Sequence, residues 1–132
     1  MNDYLQSAFS GWAALLALAA GQAMPYLLRT SSGSTKPYQQ RMWPHYWLGY
    51  LALLASFTHG WLSMRNVNMR GVNGAGVWIA TFAVGLLLWQ VAVGLMLQNP
   101  RQSDRRLLRR THFWTMASVA GLVVAHVVLN RP

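Results

Sequence analysis

The chain has 132 residues, 54% of them hydrophobic and only 10% charged, against about a quarter charged in a soluble domain. The absence of cysteine excludes disulfides, thiolate metal sites and haem attached through a CxxCH motif. A net charge of +9 would suggest nucleic acid in a soluble protein, but the basic residues fall between four charge-free runs, 4–28, 42–64, 71–100 and 111–130.

Each run reaches the roughly 20 residues that a helix needs to cross a hydrocarbon layer about 30 Å thick. The expected fold is therefore all-α: a four-helix up-and-down transmembrane bundle forming a single domain over 1–132. The first helix covers about 4–28 and contains Pro25, a kink that neighbouring groups can satisfy inside a membrane. Thr30 to Pro37 is rich in Ser, Thr, Gly and Pro and reads as a loop. The second helix covers about 44–64, with Pro44 suited to a first turn. Asn66, Asn68, Gly71, Asn73, Gly74 and Gly76 mark a short turn before the third helix, about 77–98. That helix stops before Pro100, and the fourth covers about 111–130 with Thr111 as its cap. Trp43, Trp47 and Trp114 at one level and Trp61 and Trp78 at the other read as an aromatic belt. Gly11, Gly21, Gly85, Gly94 and Gly121 read as points of close helix approach.

Charge sets the orientation. The loops after the first and third helices carry Arg29, Lys36, Arg41, Arg101, Arg105, Arg106, Arg109 and Arg110, eight basic residues, against Arg65, Arg70 and Arg131 on the other side. The positive-inside rule places both termini outside, in what reads as a bacterial inner membrane protein. The first helix is read as retained rather than cleaved, because it lacks the basic n-region of a signal peptide. The basic loop 101–110 suits this topology together with anionic lipid, and would also dock a partner.

All four histidines lie in the second and fourth helices, as His45 and His59 and as His112 and His126, with the same spacing of 14 residues. Fourteen residues make about 3.9 turns and rise about 21 Å, so each pair shares a face near opposite ends of a span. In an up-and-down bundle the two helices run in the same direction. His45 and His112 then share the inner level, and His59 and His126 the outer. Two imidazoles at one depth on facing helices suit the axial positions of a non-covalent haem b, and the arrangement occurs twice. Gly49, Ala52 and Ser56 on the second helix would admit a flat macrocycle; Thr115, Met116, Val119 and Val123 on the fourth are apolar. Arg41, Arg109 and Arg110 at the inner level and Arg65 and Arg131 at the outer are candidate partners for haem propionates, although topology explains them first. Zinc or copper fits less well, since each level offers two imidazoles and no carboxylate or thiolate.

With these histidines in place, the sequence resembles the ferric-reductase-like transmembrane cytochromes, which include the membrane domains of NADPH oxidases and of metalloreductases. The resemblance implies two haems b held between two parallel helices, with His45 and His112 as inner ligands and His59 and His126 as outer ligands. Cytochrome b of the quinol-oxidising respiratory complexes is similar too, with paired histidines on its second and fourth helices, but that second helix enters from the opposite side. The expected function is transmembrane electron transfer as a cytochrome b subunit. A chain this short has no room for a flavin or nucleotide domain, so a redox partner or larger complex would supply the terminal chemistry. The alternatives are a quinone-reactive cytochrome b subunit, with Gln22, Gln90 and Ser56 as candidate polar groups, and a haem-free membrane assembly subunit. No span carries the carboxylate that proton-coupled exporters need.

Overall fold

A computed structural model describes residues 3–30, 37–65 and 73–130. Among the described residues 91% are helical and none is in a strand, so the all-α expectation holds. Five helices are present: α1 (Asp3–Thr30), α2 (Tyr38–Arg41), α3 (Trp43–Arg65), α4 (Gly74–Gln98) and α5 (Arg105–Leu129). The fifth relative to expectation is α2, a single turn closed by the N–H groups of Gln40 and Arg41 on the Pro37 carbonyl.

Among the described residues three helices are long and apolar enough to cross a membrane: α1, α4 and α5. Of the four expected spans, α3 alone does not reach that hydropathy. At 23 residues α3 has the length, but its two histidines, three tryptophans and two tyrosines score as polar by hydropathy. Indole and phenol rings nevertheless sit well at a membrane edge. Large apolar side chains point outward along the helices, among them Phe9 at 77%, Leu16 at 67%, Leu54 at 65% and Phe82 at 65% exposure. Extensive apolar exposure of this kind suits lipid rather than water.

Helix boundaries shift from expectation at α5. It begins at Arg105, not Thr111, and takes Arg105, Arg106, Arg109 and Arg110 onto its first two turns. Arginine is a good helix former, so a cluster that reads as a charged loop extends the helix instead. Asp104 occupies the N-cap position without a side-chain cap bond. In α4, Asn73 is the cap, its side-chain oxygen accepting from the Ala75 N–H at 3.0 Å, and Gly74 and Gly76 lie inside the helix rather than in a turn. Such a cap contributes about 1 kcal/mol. The breakers Asn66, Asn68 and Gly71 lie outside the described residues.

The chain divides into two compact units, Met1–Val67 and Asn68–Pro132. Each is an antiparallel helical hairpin, α1 against α3 in the first and α4 against α5 in the second. Small buried residues set the close approach within each: Ala14 and Ala52 in the first, Ala83 and Val119 in the second. In the first hairpin the Ser7 and Ser63 hydroxyls bond at 2.7 Å across the helices. The Arg41 guanidinium donates to the Leu28 carbonyl, satisfying an orphan acceptor in the last turn of α1.

Candidate functional site

Each histidine is half-buried in its hairpin. His59 Nδ1 lies 2.8 Å from the Ser7 carbonyl oxygen, His45 Nδ1 2.8 Å from that of Gly21, and His126 Nδ1 3.0 Å from that of Gly76. A carbonyl oxygen only accepts, so Nδ1 carries the proton in all three. In a neutral imidazole the lone pair then resides on Nε2, the nitrogen that a metal would take. Metal-ligating histidines are oriented in this way by a backbone carbonyl or carboxylate on the other ring nitrogen.

The acceptor for His45 has a specific origin. Pro25 lies inside α1 and has no N–H, so the Gly21 carbonyl four residues earlier loses its intrahelical donor. His45 supplies one. The freed backbone group of a helix-interior proline, which would cost several kcal/mol unsatisfied in a membrane, is thereby the anchor of the imidazole. Pro25→Ala is expected to return that carbonyl to its own helix. The His45 Nδ1 proton should then exchange faster with water by NMR in detergent while the His59 proton keeps its rate; equal rates before and after would overturn the coupling.

At the other end of α3, His59 packs on Gly11. A Cβ there would stand 3.0 Å from both Cε1 and Nδ1 of the ring, so only glycine leaves the ring its place. His112 rests over Gly94, where a Cβ would meet its Cε1 at 3.5 Å, an ordinary contact. Of the other glycines expected at close approaches, Gly21 meets only Leu48 Cβ at 3.6 Å, and Gly85 and Gly121 meet nothing within 4 Å. These last two are not packing glycines within the described structure.

The two hairpins treat His59 and His126 alike. Ser63, one turn past His59, bonds Ser7, whose carbonyl holds the ring. Asn130, one turn past His126, lies so close over Gly76 that a Cβ there would overlap its carboxamide. Asn130 Nδ2 donates to the His126 carbonyl at 2.9 Å and also stands 3.2 Å from His126 Nδ1. It would donate to that nitrogen only in the opposite tautomer. The shorter approach to the Gly76 carbonyl, which needs an N–H, favours the proton on Nδ1.

The expected space for a macrocycle changes. Ala52 is 0% exposed, Val119 2% and Thr115 9%; they close the hairpin contacts instead of lining an open face. Gly49 does have open space around its Cα. Ser56 donates its hydroxyl to the Ala52 carbonyl at 2.8 Å, which commits that proton within its own helix. The arginines are not equivalent either. Arg41 is engaged with the Leu28 carbonyl, and Arg65 lies over the Trp61 ring at 5.8 Å. Arg109 and Arg110 are exposed on the first turns of α5, within one turn of His112, while Arg131 lies outside the described residues. No group of three His, Cys, Asp or Glu side chains gathers among the described residues.

Comparison of the chain with known protein families, curated proteins and solved structures finds no match.

Proposed function

We propose that this chain is an integral membrane electron-transfer subunit that binds two haems b through its four histidines. The observation that carries the reading is the doubled 14-residue histidine spacing together with three imidazoles whose Nδ1 protons are held by backbone carbonyls. That donor set fits a haem iron: neutral imidazoles with Nε2 basic and orientation fixed, and no competing thiolate in the chain.

His45 and His112 would hold one haem and His59 and His126 the other, with α3 as a fourth membrane-crossing helix. When bound, each haem would supply a one-electron iron couple held by two imidazoles, which suits outer-sphere transfer. The protein's own contribution is orientation. Ser7, Gly21 and Gly76 keep the imidazoles in one tautomer, Gly11 gives His59 room, and the small hairpin contacts hold the ligand levels about 21 Å apart along each helix. Arg109 and Arg110, exposed within one turn of His112, would be cations for propionates at the inner level, where Arg41 donates to the Leu28 carbonyl of α1. A redox partner on each side would supply and remove electrons.

The test is a reduced-minus-oxidised absorption spectrum of the purified chain in detergent, with haem extracted and counted. Two low-spin b haems per chain are expected. A chain expressed with ample haem that binds none leaves a haem-free assembly subunit as the reading. The proposed topology, with both termini outside a bacterial inner membrane, predicts that reporters active only in the periplasm function at either terminus. A cytoplasmic result at both would invert the bundle.

A further inference from the structure

The two hairpins share one register, and that register singles out Gln90. In the first hairpin Ser7, Ala14 and Gly21 of α1, spaced by seven, oppose His59, Ala52 and His45 of α3: the end pairs are bonded and the central pair is buried. In the second, Gly76 bonds His126 and the buried pair Ala83 and Val119 follows seven residues later. The next heptad step brings Gln90 of α4 to the level of His112 of α5. Two contacts support the placement. His59 bonds the Ser7 carbonyl while its ring lies over Gly11, four residues on. The His112 ring lies over Gly94, four residues beyond Gln90.

At the corresponding level of the first hairpin stands Gly21, which has no side chain and whose carbonyl is released by Pro25. Gly94 has an N–H where Pro25 has none, so the Gln90 carbonyl keeps its intrahelical donor. Gln90 brings a carboxamide instead, and its Oε1 is shielded from solvent with no donor among the described residues. A buried amide oxygen in a membrane helix needs a hydrogen-bond donor, and the heteroatom donor that the register brings to its level is the His112 imidazole.

We propose that Gln90 is a positioning residue for His112: its side-chain oxygen takes the Nδ1 proton of the ring and tunes the haem that His112 ligates. The inference rests on the haem reading above. A side-chain acceptor differs from a backbone carbonyl in one respect that experiment can use, because its charge can be changed. A carboxylate in its place pulls the Nδ1 proton, makes the imidazole a stronger donor to iron and favours the oxidised state. An aliphatic side chain of similar size removes the acceptor and does the reverse.

The experiment is a redox titration of the haem-loaded full chain as wild type, Gln90→Glu and Gln90→Leu, with the His112-dependent wave identified by its loss in His112→Ala. The expected result is a shift of that wave to lower potential in Gln90→Glu and to higher potential in Gln90→Leu, the two variants differing by at least tenfold in redox equilibrium, about 59 mV for one electron. The other wave should not move. Loss of only the His112-dependent haem from Gln90→Leu, with Gln90→Glu retaining it, also supports the assignment. Two haems with both waves unmoved, both waves moved equally, or both haems lost from both variants overturn it while leaving the haem reading in place. A wild-type chain with no haem overturns the reading itself.

Discussion

His45→Ala and His112→Ala are each expected to remove one haem from the chain, and the same one, halving the haem count and leaving the outer pair's spectrum intact. A haem iron left with one of its two imidazoles would turn high-spin or dissociate, so the low-spin band should fall by about half in either variant. His59→Ala and His126→Ala should remove the other. The two levels are about 21 Å apart along each helix, well beyond the 7–10 Å over which substitutions usually couple, so a double variant within one level should lose no more than either single one. Retention of the full low-spin signal of both haems in His45→Ala or His112→Ala would refute the pairing, and so would loss of the same haem from His45→Ala and His59→Ala. The backbone should tolerate these changes. Each truncation leaves an acceptor such as the Gly21 carbonyl without its imidazole, a cost of about 1–3 kcal/mol, set against hairpins otherwise held by their small-residue contacts.

The membrane character of the chain is legible because hydropathy and length suffice for it: the charge-free runs mark α1, α4 and most of α5. The failures have physical causes. Four arginines within 105–110 look like a loop, yet a guanidinium on a long stem costs a helix nothing and reaches headgroups from its first turns. The histidine spacing is visible in the sequence, but the acceptors are not, since an antiparallel register cannot be read from one chain. Ser7, Ala14 and Gly21, followed by Gly76, Ala83 and Gln90, form a heptad of small residues broken only at Gln90, and that signal could have been found by looking for small residues at half the histidine spacing. Pro25 shows the same division. A proline in a span announces a freed carbonyl; only the fold tells that His45 takes it.

Gly11→Ala is expected to weaken the outer haem by 10–100-fold while sparing the inner one. The added Cβ would stand 3.0 Å from Nδ1 and from Cε1 of His59, closer than ordinary van der Waals contact, so the ring or the helices must give way. If the ring turns, it loses the 2.8 Å bond to the Ser7 carbonyl, and with it the tautomer and the aim of Nε2. Losses of this kind around a metal-ligating histidine typically cost 10–100-fold in affinity, or about 1.4–2.7 kcal/mol at 1.4 kcal/mol per tenfold. If the helices part instead, the 2.7 Å bond between Ser7 and Ser63 breaks with the same consequence for the outer level. Two glycines serve as controls, because an added methyl meets only Leu48 Cβ at 3.6 Å in Gly21→Ala and nothing within 4 Å in Gly49→Ala. Haem titration of the three variants separates steric room at one ring from any general intolerance of alanine. If Gly11→Ala binds both haems as tightly as Gly21→Ala does, then His59 is not held by this contact, and the outer ligand must be positioned from elsewhere in the bundle.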